Sequence, residues 1–207
     1  MIVTRTRARV NTTAASPMRS FDPHAVGTYE CRAWETYYRR RWAAFLGASI
    51  GMVRAAFRMS WPRTLAGAWL VLRANMKWAP FPDNDPDAAR ALMRRFYTML
   101  ATSERARFDP VRAAVLELEW WRAHRENQHD AGDGSAHELV VALRDLYAYT
   151  YGVEPADVEL AAELRAEAMD LSDRWVQDGC DPDAPSLAQE RALLVRSYAA
   201  LLAAVHR

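Results

Sequence analysis

The chain has 207 residues, 51% apolar and 26% charged, with a formal net charge of +1. That is length and apolar content for one domain with a buried core, which excludes a disordered chain, and the near-neutral balance with no DNA-reading motif argues against nucleic-acid binding. The two cysteines, Cys31 and Cys180, form no CxxC or metal spacing, and the longest uncharged run is Trp42 to Val53; both features point away from a disulfide framework or a membrane span and towards a cytoplasmic protein.

Residues 1–20 are basic and free of acids, without the apolar block of a secretory signal, so they read as a disordered arm. Met18 is an alternative start. Residues 21–207 read as a single helical domain. Asp22-Pro23 caps and opens a helix, and apolar residues recur at helical spacing from Val26 to about Phe57, with Gly47 and Gly51 as candidate bends. Ser60 and Pro62 open a second helix running to about Trp78. PFPDNDP then forces a loop, and Asp85-Pro86 starts a third helix carrying Leu92, Phe96, Met99 and Leu100. Asp109-Pro110 starts a fourth, ending near Gln128. HDAGDGSA is a loop. Helices follow over residues 135–151, from Pro155 to about Gln177, and from Leu187 to His206. The sum is an all-α bundle of seven to eight helices.

Charge is unevenly distributed. Residues 36–82 contain no Asp or Glu but hold Arg39, Arg40, Arg41, Arg54, Arg58, Arg63, Arg73 and Lys77. Residues 154–190 are strongly acidic, with only Arg165 and Arg174 as cations. Either the two segments face one another, or the basic one presents a face to a membrane surface, a nucleic acid or an anionic ligand.

The tripeptide Phe-Asp-Pro occurs at residues 21–23 and again at 108–110. At that offset Glu30 aligns with Glu117, Trp34 with Trp121 and Tyr37 with His124. Positions i, i+4 and i+7 share one helix face, so two pseudo-related helices at the core of the bundle are expected. Val26, Ala33 and Trp34 surround Glu30, while Ala114, Leu118 and Trp121 surround Glu117, so both carboxylates are expected to point inward. A buried carboxylate must be paired, protonated or metal-bound. Three readings follow: a structural Glu–Arg pair, a metal centre, or a metal-free pocket in which Glu30 or Glu117 holds a ligand or moves a proton. Arg73, inside the apolar TLAGAWLVLRANMKW, is the expected counter-charge, or else a clamp for a ligand anion. Trp34 and Trp121 would then line a flat apolar pocket.

A metal centre needs a further wall. Glu163, Glu167 and Asp170 stand at i, i+4 and i+7 on a later helix and either supply it or form a solvated stripe. Glu117 with His124, an earlier Glu helix and this later triple resemble the haem-oxygenase-like di-iron oxidases. The paired Glu-bearing helices also resemble ferritin-like proteins. The resemblance covers three helices. The later triple here is all carboxylate, and the Glu-x-x-His of ferritin-like chains is missing. It implies iron or manganese held by Glu30, Glu117 and His124, with Glu163, Glu167 and Asp170 as further candidate ligands, and an oxygen-activating oxidoreductase. Tyr37 joins Glu30, Glu117 and His124 as a candidate catalytic residue.

The expectation is therefore a small-molecule-binding helical protein, with a metal-dependent oxidoreductase as its sharper form. The alternative is a non-catalytic interaction or membrane-surface module using residues 39–77. The pattern also admits a homodimer.

Overall fold

The computed structural model describes residues 17–104, 106–129 and 135–207. Most of the expected N-terminal arm and the centre of the HDAGDGSA loop lie outside the described residues. Among the described residues there are eight α-helices and no strand: α1 (Pro23–Tyr38), α2 (Trp42–Phe57), α3 (Trp61–Trp78), α4 (Pro86–Glu104), α5 (Pro110–His129), α6 (Ser135–Tyr151), α7 (Pro155–Gln177) and α8 (Pro185–Ala204). A 3-10 turn, Pro17–Arg19, precedes them. Met18 is buried in the core, and Arg19 donates to the carbonyls of Val205 and Tyr151. Met18 and Arg19 thus pack on the helical domain.

The Asp-Pro signals act as caps. The Asp22 carboxylate accepts from the backbone N–H of His24 and Ala25, that of Asp85 from Ala88, and that of Asp109 from Val111. Each satisfies amides that a helix start leaves unpaired. The expected long first helix, by contrast, is two. The chain breaks at Arg39–Arg41, not at Gly47 or Gly51. Arg40 takes a left-handed φ of 56°, its N–H donates to Tyr37 O, and Arg41 N–H donates to Thr36 O. That is the Schellman pair of bonds with arginine where glycine usually sits. Gly51 instead makes room for the Tyr29 ring: an added Cβ would lie 2.3 Å from it.

Successive helices pack on one another, and α8 closes on α1, so the eight form a circuit in chain order. Short connections make neighbours antiparallel. At the seam, residues 21, 27 and 31 of the first helical stretch meet Tyr198, Leu194 and Leu187 in reverse order. Gly27 permits this closure, because a Cβ there would stand 2.7 Å from Val195 N and 2.9 Å from the Leu194 carbonyl carbon. The two Phe-Asp-Pro helices, α1 and α5, are not a packed pair. They stand four helices apart, on opposite sides of the circuit. No helix among the described residues is long and apolar enough to cross a membrane.

Candidate ligand-binding site

Inside the circuit is a chamber of about 190 Å³ whose wall takes residues from all eight helices. Its lining is mainly apolar, including Val53, Phe96, Leu100 and Trp121. Glu30 and Glu117 both stand on this wall. They carry their charge in different ways.

Glu30 is 2% exposed. Arg165 Nη2 donates to its Oε1 at 2.5 Å, and the Tyr198 hydroxyl donates to its Oε2 at 2.6 Å. Arg165 Nη1 also reaches the Tyr147 hydroxyl at 3.3 Å, and its guanidinium lies over the Trp120 ring, 4.6 Å from the centroid. A buried charge pair is tolerated only when further hydrogen bonds support it; here Tyr198 and Tyr147 supply them, while the buried Arg165 Nε has no partner. Burial opposes the Arg165 charge, but Glu30 holds the guanidinium well above its ordinary range. Burial beside Glu30 pushes the Tyr198 phenol up, so it stays a donor.

Glu117 has no cation in contact. Its Oε2 accepts from the Tyr97 hydroxyl at 2.7 Å, and its Oε1 from the Trp121 indole N–H at 3.1 Å. Burial raises the Glu117 carboxyl, while the Tyr97 hydrogen bond and the more distant Arg165 charge pull it down. Tyr97 is itself raised by burial and by Glu117. The chamber therefore contains one neutralised ion pair and one acid that can hold or release a proton.

A second, outer cleft of about 340 Å³ shares Trp34, Phe45, Asn75, Trp120 and Trp121 with the chamber wall. The cations of its lining are Arg40 and Arg125, joined by His124 and His129, and no carboxylate lines it. Arg125 is half-buried, stacked over Trp78 at 4.4 Å and Phe81 at 5.3 Å, and donates to Trp78 O at 2.9 Å. Its buried Nη1 completes no hydrogen bond. Arg40 donates to Ala79 O at 3.2 Å.

The expected site residues are thus divided. Glu30, Glu117, Trp34 and Trp121 line the chamber; Tyr37 and His124 line the cleft, with Trp34 and Trp121 common to both. His124 Nε2 lies 3.2 Å from Asp173 Oδ2, in a cluster where Gln128 donates to Asp173 Oδ1 at 2.6 Å. Glu163, Glu167 and Asp170 are on the solvent side of α7. The six expected metal ligands do not come together, and among the described residues no group of three or more His, Cys, Asp or Glu is placed to hold a metal ion. The register of α7 explains this: its inward face carries Ala161, Arg165, Ala168 and Ser172, so the acids three and four residues along from one another point out.

Arg73 is corrected in the same way. It is exposed and lies over Trp69 at 5.8 Å, because the apolar pattern of α3 runs around both its faces. The counter-charge is Arg165. A lone arginine within the apolar Ala161–Ser172 stripe was the available signal. Glu190, also missed, is buried against Cys31 and Ser172, and burial raises its carboxyl to about 8. Cys31 is pushed far up by the same burial and is inert. No family profile, curated protein or solved structure matches the chain.

Proposed function

We propose that the protein binds a small, largely apolar molecule bearing an anionic group. The apolar body occupies the chamber, and the anion lies in the cleft against Arg125 and Arg40. The observation that carries this reading is the contiguity of two unlike compartments. One is a largely apolar chamber with an acid, Glu117, that no cation contacts. The other is an aromatic cleft where half-buried Arg125 keeps one buried nitrogen, Nη1, without a hydrogen-bond partner. An apolar cavity of about 150 Å³ already accepts benzene, so the chamber takes at least an aromatic ring. Glu117 and Tyr97 supply a directional contact for a polar atom on that ring, and the position for a proton transfer to it. Glu30 is committed to Arg165 and Tyr198, and its role is to hold α1, α7 and α8 together behind the ligand.

The test uses 1-anilinonaphthalene-8-sulfonate, an aromatic body with one anion, and its uncharged parent N-phenyl-1-naphthylamine. Fluorescence titration should show saturable binding of both to folded protein. Arg125→Ala should weaken the sulfonate about tenfold or more, the value of one charge-assisted contact, and leave the neutral probe within about twofold. Val53→Trp, which fills the chamber, should abolish both. Binding that survives Val53→Trp, or no binding by the native protein, refutes the reading.

A further inference from the structure

The outer face of α3 is unlike the rest of the surface. Trp61, Leu65, Trp69 and Met76 are 58%, 50%, 50% and 41% exposed. Their spacing of four, four and seven residues places them in one stripe, roughly 20 Å long at the helical rise. The opposite face of the same helix, with Thr64, Gly67, Ala68 and Ala74, is buried, so the exposed stripe is not needed for packing within the circuit. Contiguous apolar surface of this kind marks a docking face.

Cations border it. Arg63 and Arg73 are exposed on α3, and Arg94 and Arg95 are exposed on the adjacent α4, where Arg63, Arg94 and Arg95 line a shared shallow groove. Arg54 lies over Trp61 at 5.1 Å and Arg73 over Trp69 at 5.8 Å. Among the described residues, none of Arg63, Arg73, Arg94 and Arg95 makes an ion pair. Among the described residues, the acids of residues 154–190 that form ion pairs form them with other partners: Asp157 with Arg207, Glu159 with Arg144 and Asp173 with His124.

We propose that α3 and the flanking edge of α4 dock the protein on an anionic lipid surface, with α3 lying in the plane of the interface. Indole rings sit at headgroup depth, Leu65 and Met76 enter the acyl boundary, and the arginines meet lipid phosphates. Charge decides between occupants. A second copy joined through this face by a two-fold axis would set the arginine cluster against itself. A nucleic acid would use the arginines and leave the Trp-Leu-Trp-Met stripe in water.

The experiment is co-sedimentation of the full chain with vesicles of phosphatidylcholine alone and of phosphatidylcholine with phosphatidylglycerol. Binding should require the anionic lipid and weaken at high salt. Trp61→Ser with Trp69→Ser should lower partitioning at least about tenfold, and Arg63→Gln with Arg94→Gln should lower it as well. All four side chains are exposed, and circular dichroism confirms that the variants fold. No binding to anionic vesicles overturns the proposal. So does binding that the Trp substitutions leave unchanged. Tight duplex-DNA binding that falls in the Arg variants alone assigns the face to nucleic acid and overturns it, and a dimer in sedimentation equilibrium that the Trp substitutions dissociate does the same.

Discussion

Nη2 of Arg165 lies 2.5 Å from Oε1 of Glu30, and both side chains are almost wholly removed from solvent. Removing either one strands the other. Glu30→Ala is expected to cost about 3–5 kcal/mol in urea unfolding, since it leaves a buried guanidinium uncompensated. Replacing both, as Glu30→Leu with Arg165→Met, should recover most of that loss. A double variant as unstable as the single one would show that the pair is net stabilising, against this expectation.

Glu190 governs a pH dependence. Its carboxyl is raised from 4.5 to about 8, first by burial, against the hydrogen bond from Cys31. The folded state holds the proton more tightly than the unfolded one. Its contribution is therefore complete below pH 4.5 and is withdrawn as pH rises to about 8. Over that window the native protein should lose on the order of a few kcal/mol from this group. Glu190→Gln should remove that component: its melting temperature should match the native value in acid and exceed it in mild alkali. Parallel melting curves across the whole range would count against the assignment.

Tyr97 tunes Glu117. Its hydroxyl is the strongest influence opposing the burial that raises that carboxyl. Tyr97→Phe should shift the Glu117 titration further upward, followed by carboxyl carbon NMR, and should cost about 1–2 kcal/mol of stability for the lost hydrogen bond. A Glu117 resonance that titrates as in the native protein would contradict the geometry.

Two glycines should respond oppositely to alanine. Gly47 lies within α2 with nothing within 4 Å of an added Cβ, so Gly47→Ala should stabilise by about 0.5–1 kcal/mol through helix propensity. At Gly27 the Cβ would strike the α8 backbone, and Gly27→Ala should cost about 1–3 kcal/mol. Thermal melts of the pair provide the check. Equal shifts would mean that α1 and α8 do not meet as described.

The helices were legible because their starts are chemical: Asp-Pro caps and apolar periodicity are local facts, and all seven expected helix starts fall within two residues of those found. The break at Arg39–Arg41 was not, since arginine in a left-handed turn leaves no compositional trace. Glu30 and Glu117 could be picked out because each sits in an apolar setting on its own helix. Their partners could not, for the opposite reason. Arg165 comes from a segment crowded with acids, and only its position relative to Ala161 and Ala168 sets it apart. Arg73 looked buried because α3 is apolar on its outer face too, which reflects a surface property and not depth. Tyr37 and His124 each stand seven residues, about two helix turns, beyond Glu30 and Glu117, and that distance carries both of them from chamber to cleft.

The seam between α1 and α8 bears on how the molecule comes to exist. Glu30 emerges early from the ribosome, but Arg165 and Tyr198 follow 135 and 168 residues later. Until both are made, the Glu30 carboxylate lacks the two partners that satisfy it in the folded protein. Because α8 also supplies Tyr198 and Leu201 to the chamber wall, the chamber is complete only once the last helix is made, and its formation rests on contacts of high sequence separation, which are slow to form.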